Sequence, residues 1–164
     1  MSDEQSIINI YDKMVSNNEI QRNISQEKLV SELEELRKKL EKKGGLKESA
    51  AVRMFSKFLS TKALKKTQGI YIHGGVGIGK YMLMDLFFNQ LDIKEKRRVH
   101  FHEFMKGIHE LIKNARERKK RDPIKSVASD YIKNIQLLCL DEMQITDVAD
   151  AMIVGRVFEE FFKR

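Results

Sequence analysis

The sequence predicts an α/β domain, a parallel sheet covered by helices on both faces, behind an N-terminal helical region. Three observations carry that expectation. Beyond Gly69, short β-prone apolar runs alternate with stretches of helical period. The first run opens into a glycine-rich loop followed by a helix, and the last ends in two adjacent carboxylates. Composition agrees. With 164 residues the chain has the size of one domain, 41% hydrophobic residues exclude full disorder, and 34% charged residues exclude a membrane-embedded protein. No apolar run approaches the ~18 residues of a spanning helix. The single cysteine, Cys139, excludes a disulfide framework and a cysteine-based zinc site. One proline and nine glycines argue against a loop-rich all-β build. The N-terminus carries no secretory or transit pattern, so a cytoplasmic location is expected.

Taken in order, the elements follow from spacing. Leu29, Leu33, Leu36 and Leu40 recur four and three apart, which predicts an amphipathic helix over 25–43. Asn23 is its candidate N-cap, with Gln26 three residues later as in a capping box, and Gly44-Gly45 its stop. A second helix is expected over 47–59, with Phe55, Phe58 and Leu59 inward. Ile70-Tyr71-Ile72 reads as a short strand, 80–90 as a helix, 98–101 as a strand and 103–118 as a helix. A shorter helix over 124–133, an apolar strand over 136–140 and a last helix over 147–162 complete the series.

Between the first strand and its helix lies Gly74-Gly75-Val76-Gly77-Ile78-Gly79-Lys80-Tyr81, a G-x-x-x-x-G-K phosphate loop in the context that such a loop requires. Glycines let backbone N–H groups converge on phosphate oxygens, and the helix N-terminus adds unpaired donors and a positive dipole end. Lys80 would neutralise the β and γ phosphates. A phosphate loop next wants Ser or Thr, whose short hydroxyl ligates Mg²⁺. Tyr81 carries its hydroxyl at the far end of a ring. Nucleotide binding through backbone amides and Lys80 is therefore expected, with Mg²⁺-dependent hydrolysis strongly impaired.

Some sixty residues downstream, Gln136-Leu137-Leu138-Cys139-Leu140-Asp141-Glu142 is an apolar run ending in a pair of acids. In phosphate-loop ATPases such a pair divides two jobs: Asp141 would support the metal shell and Glu142 would polarise the attacking water. Cys139 reads as a small core residue, and methionines such as Met82, Met84 and Met105 as core filling. His100 and His102 would share one face of a strand, with Glu103 on the other, but no H-E-x-x-H pattern forms because positions 106 and 113 are lysines. The formal charge of +7 is clustered at 38–43, 94–98 and 116–121. Acids are interleaved and no aromatics alternate, so solvated helix faces are favoured over a nucleic-acid stripe.

Three stretches together, GGVGIGKYMLMDLFF, RRVHFHEFM and LLCLDEMQITDVADAMIVGRVFEEFF, resemble the ATPase-family-gene-one-like AAA+ ATPases, the family of the bacterial division protein ZapE. The resemblance continues more weakly through IYDKMV, EIQRN and LEELRKKL. It implies a P-loop NTPase fold of AAA+ type, a three-layer α/β/α arrangement incomplete at the C-terminus, with an N-terminal helical region at 1–66 and a partial ATPase domain at 67–164. It also implies ATP and Mg²⁺ as cofactors. Gly74, Gly75, Val76, Gly77, Ile78, Gly79, Lys80 and Tyr81 fall on the family's nucleotide-binding loop. Asp141 falls on its metal-supporting carboxylate, and Glu142, with Lys80, on its catalytic positions. Tyr81 stands where the family has Thr. The family continues through a sensor strand, an arginine finger and a lid, which makes this chain, ending at Arg164, an expected fragment that folds poorly alone, its unpaired strand edges open to mispairing. For bacterial members the resemblance further implies the division-ring protein FtsZ as partner, a peripheral site at the inner membrane, and homo-oligomers. The rival readings are a non-catalytic interaction module or decayed gene product, and a loader-type ATPase using the basic runs on nucleic acid.

Overall fold

A computed structural model describes residues 6–45 and 69–163, which fall into two compact units, Met1–Ile93 and Lys94–Arg164. In the first unit, α1 spans Ile7–Ser16 and α2 Ile24–Gly45. Ser6 caps α1 by accepting from the Asn9 amide, and Ile7 and Tyr11, one turn apart, are buried. Asn18, at φ 58°, turns the chain out of α1; asparagine tolerates this left-handed conformation. Asn23 then caps α2, its Oδ1 accepting from the amides of Ser25 at 2.9 Å and Gln26 at 3.3 Å. Helix α3, Lys80–Gln90, packs on α2 through a face that buries Leu83 and Phe87, and Leu91 and Ile93 continue that burial beyond its end.

The leucine stripe of α2 is only part of its inner face. Leu33 and Leu40 are buried, Leu29 and Leu36 half-buried, and Val30, Glu34 and Arg37 join them. A buried charge must be paired, and this one is. Arg37 meets Glu34 through two hydrogen bonds, Nε to Oε2 at 3.0 Å and Nη2 to Oε1 at 2.8 Å, and its Nη1 reaches Glu41 at 2.8 Å. The same Glu34 Oε2 accepts from the Ile7 amide, closing the start of α1, and Glu41 accepts from the Asp92 amide just past α3. One polar network thus ties three segments. Burial raises the Glu34 pKa, but the Arg37 hydrogen bond, the Ile7 amide and the nearby cations outweigh it and hold the carboxyl below its ordinary value.

In the second unit, β1 (Lys96–His100) and β2 (Leu137–Asp141) pair in parallel, Lys96 opposite Leu137 and His100 opposite Asp141. Between them run α4 (Phe101–Glu117) and α5 (Pro123–Tyr131), and α6 (Val148–Phe162) follows. Phe101, Phe104, Met105, Ile108, Ile112 and Ala115 form the buried stripe of α4 at helical spacing. Val127 and Ala128 of α5 and Val154 and Val157 of α6 close the core. Phe104 lies at its aromatic centre, edge-on to Tyr131 with centroids 5.4 Å apart and close to Phe158 and Phe161. Asp122 caps α5 ahead of Pro123 at its first turn, and Asp147 caps α6.

The alternation of strands and helices is the expected α/β pattern, with N-terminal helices ahead of it. Four local expectations change. Residues 70–72 form no strand: Ile70 and Ile72 are half-buried and Tyr71 exposed, but none of the described residues offers them a ladder, and an extended run without a partner is not a strand. The leucines of β2 are half-buried rather than enclosed, since β1 alone pairs with it among the described residues. His100 ends β1 while His102 already lies in α4, so the two imidazoles do not share a strand face. Gln26 does not close a capping box; its side chain goes elsewhere. The expected helix over 47–59 lies outside the described residues. Among those described, no helix is long and apolar enough to cross a membrane.

Candidate functional site

The glycine-rich loop and the acidic strand end lie in different units, and each has its own geometry. In the loop, Gly74, Gly77 and Gly79 take positive φ of 149°, 79° and 79°. Side chains at those positions would be strained, so glycine is what the turn needs. Val76, Ile78 and Tyr81 are exposed, Tyr81 at 59%. Gly79 is the N-cap of α3 and supplies no side-chain cap, which leaves first-turn amides of α3 to receive an acceptor from outside. Lys80, the first residue of α3, folds over the loop, its Nζ donating to the Gly74 carbonyl at 2.8 Å and the Gly75 carbonyl at 2.5 Å. A cation held at the mouth of a glycine turn, beside a helix N-terminus without a side-chain cap, is the donor set that a phosphate group needs.

The loop is joined to the N-terminal helices through its back. Ile78 gives its carbonyl to Gln26 Nε2 at 3.0 Å, and a groove of about 410 Å³ runs between the 20–23 turn and Gly77–Gly79, with Gln26 and Met82 in its wall. Gln26 and Tyr11 were not legible as site residues, because the spacing of Gln26 from Asn23 matched a helix cap instead.

At the other motif, Asp141 is the last residue of β2, buried, and paired with Arg98: Nε to Oδ2 at 2.6 Å and Nη2 to Oδ1 at 3.4 Å. Arg98 sits two residues before His100, Asp141's partner in the register, so both side chains belong to the same sheet face as diagonal neighbours. Glu142, by contrast, is exposed and takes φ 53°, a left-handed conformation that costs a non-glycine residue about 1 kcal/mol. The adjacent acids thus occupy unlike environments, one buried and neutralised, the other turned out on a strained backbone. Cys139 is buried and its thiol pushed up to about 11 by burial, which makes it inert.

Each motif lacks one feature that magnesium would use: in the loop, Tyr81 offers no short hydroxyl on the first turn of α3, and at the strand end Asp141 is already paired with Arg98. The basic runs are partly engaged as well. Lys38 and Lys39 pair with Glu34 and Glu35, Arg97 lies over the Tyr131 ring, and Arg98 holds Asp141.

Known proteins resolve the identity that these two motifs suggest. The profile of the AFG1-like ATPase family matches residues 6–164. Lactation elevated protein 1 homolog B of Danio rerio is 44% identical over 105 residues, 58% of this chain and 21% of the relative. An uncharacterised protein of Schizosaccharomyces pombe is 42% identical over 58% of this chain and 22% of its own length. Cell division protein ZapE of Escherichia coli K12 is 38% identical over 59% of this chain and 25% of its own length. The matched stretch is thus a fifth to a quarter of these relatives. No solved structure matches the chain significantly. From its own α/β pattern and the match to nearly its whole length, the chain belongs to the AFG1-like ATPase family.

Proposed function

We propose that this chain binds ATP through residues 74–81 and hydrolyses it slowly at best. The observation that carries this reading is the loop itself: positive-φ glycines, an uncapped α3 N-terminus and the Lys80 ammonium lie together. Backbone amides of Gly75 to Lys80 cradle the phosphates, and Lys80 leaves the Gly74 and Gly75 carbonyls to meet their charge. Glu142, exposed on its strained turn, is the water-polarising carboxylate, and Asp141 occupies the metal-side position while Arg98 holds it. With Tyr81 in place of a short hydroxyl, binding and hydrolysis are uncoupled. We place the start of the ATPase domain at residue 67, with 1–66 as an N-terminal helical region.

Isothermal calorimetry with ATP, with and without Mg²⁺, tests this. Heat that persists without Mg²⁺ and disappears in Lys80→Ala supports it; no heat in either buffer overturns it in favour of a nucleotide-independent interaction module. Hydrolysis as fast as that of Tyr81→Thr would overturn the impairment. For the cellular role we extend the reading to bacterial division, with FtsZ as partner. The name of the E. coli relative supports the division role alone, and FtsZ as partner rests on the motifs shared with that family. Failure to co-sediment with FtsZ polymers would remove it.

A further inference from the structure

A continuous hydrogen-bond chain runs from the N-terminal helices to the loop, and its polarity is fixed at both ends. The Asn23 amide donates to Tyr11 Oη at 3.3 Å, Tyr11 Oη donates to Gln26 Oε1 at 3.0 Å, and Gln26 Nε2 donates to the Ile78 carbonyl at 3.0 Å. A backbone N–H can only donate and a carbonyl only accept. The Gln26 amide must therefore turn its nitrogen to Ile78, and the Tyr11 hydroxyl must send its proton to Gln26. No alternative orientation satisfies all three contacts. Bonds in such a series polarise one another. Tyr11, at 1% exposure, is held by packing, so the chain starts from a rigid point.

We propose that Gln26 is a positioning residue for the phosphate loop, holding the Ile78–Gly79 peptide in the orientation that phosphate binding uses. This rests on the nucleotide reading above and adds a residue that the loop motif does not contain. The peptide is planar and trans, so its C=O and N–H point in opposite directions. Fixing the Ile78 carbonyl towards Gln26 fixes the Gly79 N–H away from it, at the junction where the loop becomes α3. Gly79 is the reciprocal half of the device. A Cβ there would lie 2.7 Å from Gln26 Nε2, so only glycine lets the amide come this close. Gln26 thus does for the loop's orientation what Lys80 does for its charge.

The test uses the full chain and three variants, Gln26→Met, Tyr11→Phe and the double. Amide hydrogen exchange without nucleotide is read across residues 77–82, together with affinity for a fluorescent ATP analogue and the thermal midpoint. Losing the Gln26 bonds should speed exchange at 77–80 and weaken the analogue by about fivefold to tenfold. Tyr11→Phe, which frees Gln26 without removing it, should weaken binding about twofold to threefold. Because the bonds are in series, the double variant should match Gln26→Met alone. Unchanged exchange and affinity in Gln26→Met overturn the inference, as does faster exchange spread evenly over α1 and α2 rather than centred on the loop. If Gln26→Met loses its cooperative melt, exchange in Tyr11→Phe decides, and no change at 77–80 overturns the inference. A wild-type chain that does not bind the analogue refutes the nucleotide reading, and the exchange data then judge the positioning role by themselves.

Discussion

Each unit buries apolar side chains, but the polar contacts within each differ. Helices α1 and α2 lean on a buried ion network, Glu34–Arg37–Glu41, which also collects the Ile7 and Asp92 amides. The β1–β2 unit rests on an apolar core centred on Phe104, with Tyr131, Phe158 and Phe161 around it. The two motifs differ in the opposite sense. The phosphate loop presents backbone and one lysine at the surface, whereas Asp141 is buried and already neutralised. A directional network fixes where groups point; an apolar core fixes only that they are covered. The loop's orientation is set by directional contacts from Gln26 and Lys80 rather than by burial.

The largest effect should come from breaking the ion network. Arg37→Met takes two charged hydrogen bonds from buried Glu34, leaving it the Ile7 amide and Lys38, and should cost about 2–3 kcal/mol, read as a drop in the chemical-denaturation free energy. A loss below about 1 kcal/mol would show that apolar packing, not the network, holds α1 and α2. The same network sets the pH response. The folded-state pKa of Glu34 is lowered, so its contribution is present above the unfolded carboxyl value near 4.5 and is lost as pH falls towards the folded value. Stability should therefore fall on acidification from pH 5 downwards, and Arg37→Met should flatten that slope.

Next in size, Lys80→Ala removes the loop's only charge and should weaken ATP by roughly tenfold to a hundredfold in calorimetry without changing the thermal midpoint. Tyr81→Thr should restore about tenfold in Mg²⁺-dependent phosphate release, because it returns a hydroxyl to the first turn of α3. The smallest effect belongs to the apolar unit. Asp122→Ala removes the α5 cap and an exposed pair with Arg156, and should cost only about 1 kcal/mol in denaturant melts. A larger loss would mean that this unit depends on its surface polar contacts as well as on the Arg98–Asp141 pair.

Much of this was legible in the sequence, and for a common reason. Helices α3 to α6, both strands and the loop are local patterns, written in spacing and in glycine, so their boundaries fall within two residues of expectation. What was not legible depends on long-range placement. Arg98 looked like part of a basic run, and only the parallel register puts it on Asp141. Gln26 looked like a cap residue, and only the fold brings it to a carbonyl 52 positions away. Glu34 and Arg37 sat between leucines as ordinary helix charges; their burial follows from α1 lying across them. The missing strand at 70–72 teaches the same lesson from the other side, since β-propensity describes a segment whereas a strand requires two.

The Arg98–Asp141 pair also acts as a vernier on the sheet. Parallel strands such as β1 and β2 have no tight turn to set their alignment. Sliding one strand by a single residue would carry the guanidinium to the opposite face and strand a buried carboxylate without its counter-ion. The contact that ties up Asp141 is therefore also what makes a one-residue slip of the two strands expensive.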